Sequence, residues 1–150
     1  MRHEPFNLDL ASTHLQSARL RSAHLERAML NGAQLKGASL GGAHLKHAHL
    51  AEACLEGASL RGAKLQGATL EGANLKGADL QGADMKDALL DGANLRGTDF
   101  RSALGLTVDQ IVSAEPSSTT QLPAELAADE RVQERIRQEE QEVLPRHRQA

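Results

Sequence analysis

Seven histidines and one cysteine are the side chains of this 150-residue chain best suited to chemistry. Imidazole is a common ligand for transition metals. His24 and His44 stand twenty residues apart, and His47 and His49 follow closely. Whether any two of them can share an ion depends on what brings residues 24 and 44 together. Cys54 is the single cysteine, so there is no intrachain disulfide and no cysteine-based zinc cluster. A redox role would need an electropositive neighbourhood, and Cys54, just before Leu55, reads as a surface thiol. The chain carries no Walker loop, no nucleophile elbow and no paired carboxylates in a recognisable setting.

The elements that position these side chains are set by a period of five. Leucine, once methionine and once phenylalanine, falls at every fifth residue from Leu10 to Phe100, nineteen positions without a skip. Two residues earlier stands alanine, sixteen times in succession from Ala18 to Ala93. Two residues later stands glycine at eleven places. The unit reads Ala-x-Leu-x-Gly, and a fixed period of this kind dictates the fold.

Five matches neither straight element. On an α-helix five residues advance a side chain by about 140°, so the leucines would spread around the axis. On one strand an odd spacing sends successive leucines to opposite faces. A chain that turns a corner in every unit keeps them together. Leu-x-Gly-Ala is then the corner, with glycine third, where a type II turn needs positive φ. Leucine and alanine point inward and both x positions point outward. Alanine suits a narrow interior that a larger side chain would overpack.

This pattern resembles the pentapeptide-repeat family over residues 10 to 100, about three-fifths of the chain. The resemblance implies an all-β solenoid: a right-handed quadrilateral β-helix with four units, or twenty residues, per coil. Nearly five coils at about 4.8 Å each make a rod on the order of 20 to 25 Å long. Stacked coils bury a continuous column that no single coil buries alone. The core is then expected at Leu20, Leu40, Leu60, Leu80 and Phe100, with Ala58 and Ala78 between. Residues 1–9 start the rod, with Phe6 over its open end, and residues 10–104 form the β-helix. Ser12, Ser17, Ser22, Arg27, His47, Glu52, Asp87 and Ser102 stand where glycine stands elsewhere. A different turn is expected at those corners, since bulky residues resist positive φ.

Residues 105–123 read as a capping helix and loop. Thr107 and Gln110 form a capping-box pattern that predicts a short helix over about residues 108 to 114, with Ile111 and Val112 over the last coil. Such a cover protects an otherwise unpaired sheet edge. Residues 124–150 read as a charged helical or partly disordered tail, with a thin apolar stripe at Leu126, Val132, Ile136 and Val143.

The interior leaves no room for a pocket with convergent polar groups, so neither enzymatic activity, cofactor nor small-molecule substrate is expected. No metal is assigned to His24 and His44 either, because outward positions accept most polar residues and Lys64 is the next rung. No apolar run is long enough to span a bilayer, and the N-terminus lacks a secretory h-region, so a cytoplasmic location is expected. Residues 1 to 104 carry twelve basic and eleven acidic side chains, a balance of +1, and residues 105 to 150 carry −4. The resemblance implies one alternative function, binding DNA gyrase as a mimic of duplex DNA. A mimic needs a strong field of one sign, which the rod lacks. Nucleic-acid binding is not expected, since charges of both signs interleave without stacking aromatics.

The remaining reading is a non-enzymatic scaffold whose outward side chains bind a protein, either an unknown partner or a second copy through a rod face or the C-terminal segment. Met29, His49, Thr69 and Leu89 form one outward column with two large aliphatics, the candidate contact face. Asn31, Ala51, Glu71 and Asp91 stand beside it. The inward and outward assignment predicts that Leu60→Lys frays the rod, because it buries an unpaired charge besides losing about 2–5 kcal/mol of packing. Arg61→Ala, one residue on, should cost less than about 0.5 kcal/mol. Equal shifts of the thermal midpoint in the two variants would refute the assignment.

Overall fold

The structure, a computed structural model, describes residues 8–148. The repeats wind as a right-handed, four-sided β-helix in which each bridged residue pairs in parallel with the residue twenty positions on, from Asp9–Met29 to Asp84–Leu104. The expected role of Phe6 lies outside the described residues.

The corner explains the coil. In the unit around Leu60, the Ala63 N–H donates to the Leu60 carbonyl at 3.0 Å, and Gly62 between them has φ +65°. Within the repeats, positive φ occurs only at the third corner residue, the mark of a type II turn. The eight corners without glycine do not use a different turn, contrary to expectation. Ser12, Ser17, Ser22, Arg27, His47, Glu52, Asp87 and Ser102 all hold φ between 56 and 60°. The reason is register. A corner of another shape would carry the next leucine off its column, and the coil-to-coil bonds outweigh about 1–2 kcal/mol of left-handed strain.

Those bonds are regular. Leu60 N–H donates to Asp79 O at 2.7 Å and Gly62 N–H to Gln81 O at 3.0 Å on the next coil, while Ser59 N–H donates to Ala38 O at 2.9 Å on the previous one. With the corner bond, four of the five N–H groups in the unit are used on the backbone. The fifth belongs to the second corner residue. Where aspartate or asparagine precedes the leucine, its side chain accepts this N–H. Asp9, Asn74, Asp79, Asp84, Asn94 and Asp99 each take the N–H two residues on at 3.0–3.1 Å. These outward carboxylates and amides therefore stabilise corners, as Asx turns do.

Inside, Leu40, Leu60, Leu80, Phe100, Ala58 and Ala78 are each at most 1% exposed. Leu20 departs from the expected core and is half-buried, as are Leu10 and Leu15. They belong to the first coil, which among the described residues has a stacked neighbour on one side only.

The other end is closed. Helix α1 (Val108–Ser113) starts at the expected capping box, with Thr107 Oγ1 accepting from Gln110 N–H and the Gln110 side chain accepting from Thr107 N–H. Ile111 is fully buried against the last coil, and Val112 is half-buried beside it. The Gln110 amide donates to the carbonyls of Met85 and Ala88 at 2.8 and 2.9 Å. Residues Glu115 and Gln121 add rungs beside Asn94 and Asp99, and Thr120 Oγ1 donates to Leu95 O at 2.6 Å. The last coil thus finds partners for edge groups that would otherwise recruit another chain.

The tail forms two helices, α2 (Ala124–Ala127) and α3 (Glu130–Arg148). The break between them has a local cause. The Asp129 carboxylate accepts the N–H groups of Arg131 and Val132 at 2.8 and 3.3 Å, which starts a new helix there. Helix α3 packs against α1 and buries Val132 and Ile136 in the same core as Ile111. Arg135 Nε donates to Ala114 O at 3.1 Å, and Ser118 N–H donates to Glu140 at 3.0 Å. Leu126 and Val143 are half-buried.

Two glycines of nearly equal φ separate backbone strain from space. An added Cβ at Gly77 (φ +67°) meets nothing within 4 Å, whereas at Gly105 (φ +70°) it meets Lys86 N and Cα at 2.9 Å. Gly77→Ala should therefore cost about 1–2 kcal/mol, the left-handed penalty alone, and Gly105→Ala distinctly more. Denaturant midpoints for the two variants check the order.

Candidate functional site

The coil register decides which outward side chains meet. Two surfaces follow from it: a polar cluster around His24 and the column led by Met29.

His24 and His44 bridge on adjacent rungs, with ring centroids 4.5 Å apart and planes 20° from parallel. Between them reaches Glu26, the second corner residue of the unit that begins with His24's neighbour Leu25. One Glu26 carboxylate oxygen lies 3.3 Å from His24 Nδ1 and 3.7 Å from His44 Nδ1. The carboxyl is held below its ordinary value, first by its own backbone N–H and then by the His24 hydrogen bond, with the nearby imidazoles adding attraction. Arg27, Lys46 and His47 line the adjoining notch with Glu26, and Lys64 is the next rung after His44. The His47 ring turns away to lie over Gly67. Nothing in the leucine period points to Glu26. Its only signal is its place two residues after His24, which becomes informative once residue 44 is known to stack there.

Cys54 is half-buried between the rungs of Gln34 and Asn74, with no cation on either rung. Met29, His49, Thr69 and Leu89 form one continuous bridged column. Met29 and Thr69 are half-buried, His49 is exposed and Leu89 is 44% exposed. Apolar exposure is not confined to this face. Leu104, in line with Asp84 on the histidine face, is 60% exposed, and Leu8 at the start of the rod is 42% exposed. A separate groove of about 320 Å³ beside α3 is lined by Arg96, Ser117, Glu139, Glu140 and Val143.

The faces differ in how far their side chains are already engaged. On one, Arg61 pairs with Asp79 at 3.2 Å and Arg101 with Asp99 at 2.8 Å. On the next in chain order, Glu26 bridges the histidines, and Gln66 donates to Asp84 at 2.9 Å. Among the described residues, the side chains of Met29, His49, Thr69 and Leu89 make no hydrogen bond or ion pair within the molecule.

Compared with known proteins, the chain matches the model of pentapeptide repeats in eight copies, over residues 9–46, 28–67, 38–77 and 68–104. A pentapeptide repeat protein of the Arabidopsis thaliana thylakoid lumen is 29% identical, at a TM-score of 0.68, with 87% of this chain and 88% of that one covered. Rfr23, a pentapeptide repeat protein of the cyanobacterium Cyanothece 51142, is 35% identical at a TM-score of 0.55. That alignment covers 67% of this chain and 64% of the other, so this chain spans less than two thirds of Rfr23. QnrB1, a plasmid-mediated fluoroquinolone resistance protein, aligns at 18% identity and a TM-score of 0.43, over 85% of this chain and 72% of its own, too distant to carry functional weight. No curated protein matches the sequence.

The electrostatics of Glu26 give a pH test. A depressed carboxyl contributes stability that is present above its unfolded value and is lost as pH falls through the folded one. A carbon-13 titration of the Glu26 carboxyl should show a midpoint below the ordinary range. In His24→Ala it should move only part of the way back, because the larger cause, the backbone N–H, remains. A complete return would assign the effect to His24 instead.

Proposed function

Because this chain belongs to the pentapeptide-repeat family, we propose that it acts as a non-enzymatic scaffold, binding a protein partner on the outside of its rod. One observation carries this reading. The interior is solid, with every inward leucine, methionine and alanine from Leu25 to Leu95 at most 5% exposed. Variation is thereby confined to the flat outer faces, which is how repeat proteins build extended binding surfaces. The Met29–His49–Thr69–Leu89 face is the contact surface in this proposal, supported by its lack of internal hydrogen bonds and ion pairs among the described residues.

The occupant is a partner protein or a second copy meeting the same face. The apolar stripe of α3 is less suited to pairing, since Val132 and Ile136 are already buried against the cap. A cytoplasmic setting remains part of the proposal. Among the described residues no helix is long and apolar enough to cross a membrane. The gyrase-directed alternative is disfavoured by charge. The rod balances at +1, and two of the carboxylates on its capped half, Asp79 and Asp99, are paired with Arg61 and Arg101.

The double substitution Met29→Glu with Leu89→Glu tests the face without touching the core. Captured partners should be lost in about 0.3 M salt, where exposed charge contacts are screened, or a sedimenting dimer should become a monomer. Unchanged capture and unchanged sedimentation would exclude this face. A topoisomerase dominating the captured protein would favour the alternative.

A further inference from the structure

We propose that His24, His44 and Glu26 bind a transition-metal dication of the zinc class, through Nδ1 of each imidazole and one carboxylate oxygen. The site is independent of the partner face, which lies around a corner of the coil. One ring nitrogen from each histidine and one Glu26 oxygen lie within 4.8 Å of one another. Two donors about 2.1 Å from a tetrahedral ion stand about 3.4 Å apart. The Glu26 oxygen already lies 3.3 Å from His24 Nδ1 and 3.7 Å from His44 Nδ1, so two of the three edges of such a site are nearly formed. The third edge closes by tilting two rings that stand on adjacent rungs with centroids 4.5 Å apart.

The donor set is two imidazoles and a carboxylate, which suits zinc, nickel, cobalt or copper better than magnesium or calcium. Proton accounting is simple for neutral rings. In the metal-free cluster Nδ1–H of His24 faces the carboxylate. On binding, each ring carries its proton on Nε2 and offers the Nδ1 lone pair to the ion, and Glu26 exchanges a hydrogen bond for a coordinate bond. Water completes the coordination, since the His24 side chain is 76% exposed. Arg27, Lys46 and Lys64 stand nearby and oppose a dication, which places the affinity below that of a closed structural site. The backbone gives the ion a structural consequence. It would tie the first coil, whose Leu10, Leu15 and Leu20 are half-buried, to the second.

Calorimetric titration of the untagged full-length chain with zinc chloride, and separately nickel chloride, tests the site. The expected result is a single ion per chain. His24→Ala, His44→Ala and Glu26→Gln should each weaken binding by at least about tenfold, while His14→Ala, on another face of the first coil, leaves it unchanged. Hydrogen exchange provides a second readout. Zinc should slow the amides of the first coil in the unaltered protein and not in His44→Ala. No heat with either ion overturns the proposal, and so does binding that survives combined His24→Ala and His44→Ala.

Discussion

The rod depends on one backbone requirement: a residue with positive φ at the third place of every corner. It turns the chain after each leucine, and four such turns return the next coil to register twenty residues later. Glycine meets the requirement at the lowest strain. Where serine, arginine, histidine, glutamate or aspartate takes its place, the same conformation persists because neighbouring coils over-determine it. His47 and Glu52 show how the larger side chains are accommodated. Each lies over the glycine of the coil that follows, Gly67 and Gly72, where any Cβ would collide. Stacking on a glycine corner is not obligatory, since Arg27 is followed one coil on by His47, itself a substituted corner.

The same register gives the outer surface more structure than a free display of polar groups. The second corner residue of the repeat leaves its N–H without a backbone partner, and in six repeats aspartate or asparagine at the preceding face position supplies one. Five of the six such residues fall between Asn74 and Asp99, towards the capped end. Much of the acidity on that half therefore belongs to the fold. The Met29 column contains one of these residues, Asp9, and otherwise consists of side chains not used by the coil.

The two ends are built differently. At the C-terminal end, α1, the Glu115 and Gln121 rungs and α3 cover Phe100 and the last leucines, and side chains of Gln110 and Thr120 answer exposed carbonyls. A solenoid needs such a polar-faced terminus to remain a discrete molecule. In the first described coil Leu10, Leu15 and Leu20 are only half-buried. Coordination by His24, Glu26 and His44 would act at this less buried end.

The sequence by itself determined the columns. A five-residue period is incompatible with a straight helix or strand, so Leu40, Leu60 and Leu80 had to face inward, and Thr107 with Gln110 marked the start of α1 from local chemistry alone. These are legible because each depends on neighbours within a few residues. The rest depended on which side chains meet across coils and on where the cap settles. Left-handed serine and arginine at corners follow from the ladder's demand for register, against local preference. The docking of α3 requires Val132 and Ile136 to meet a surface made by α1 and the last coil. Glu26 joins the histidines because its side chain leans back from a corner towards two rungs, one in its own coil and one in the next. Spacing placed His24 beside His44, but the direction of an outward side chain is set by rotamer and neighbours, and only the tertiary structure decided that.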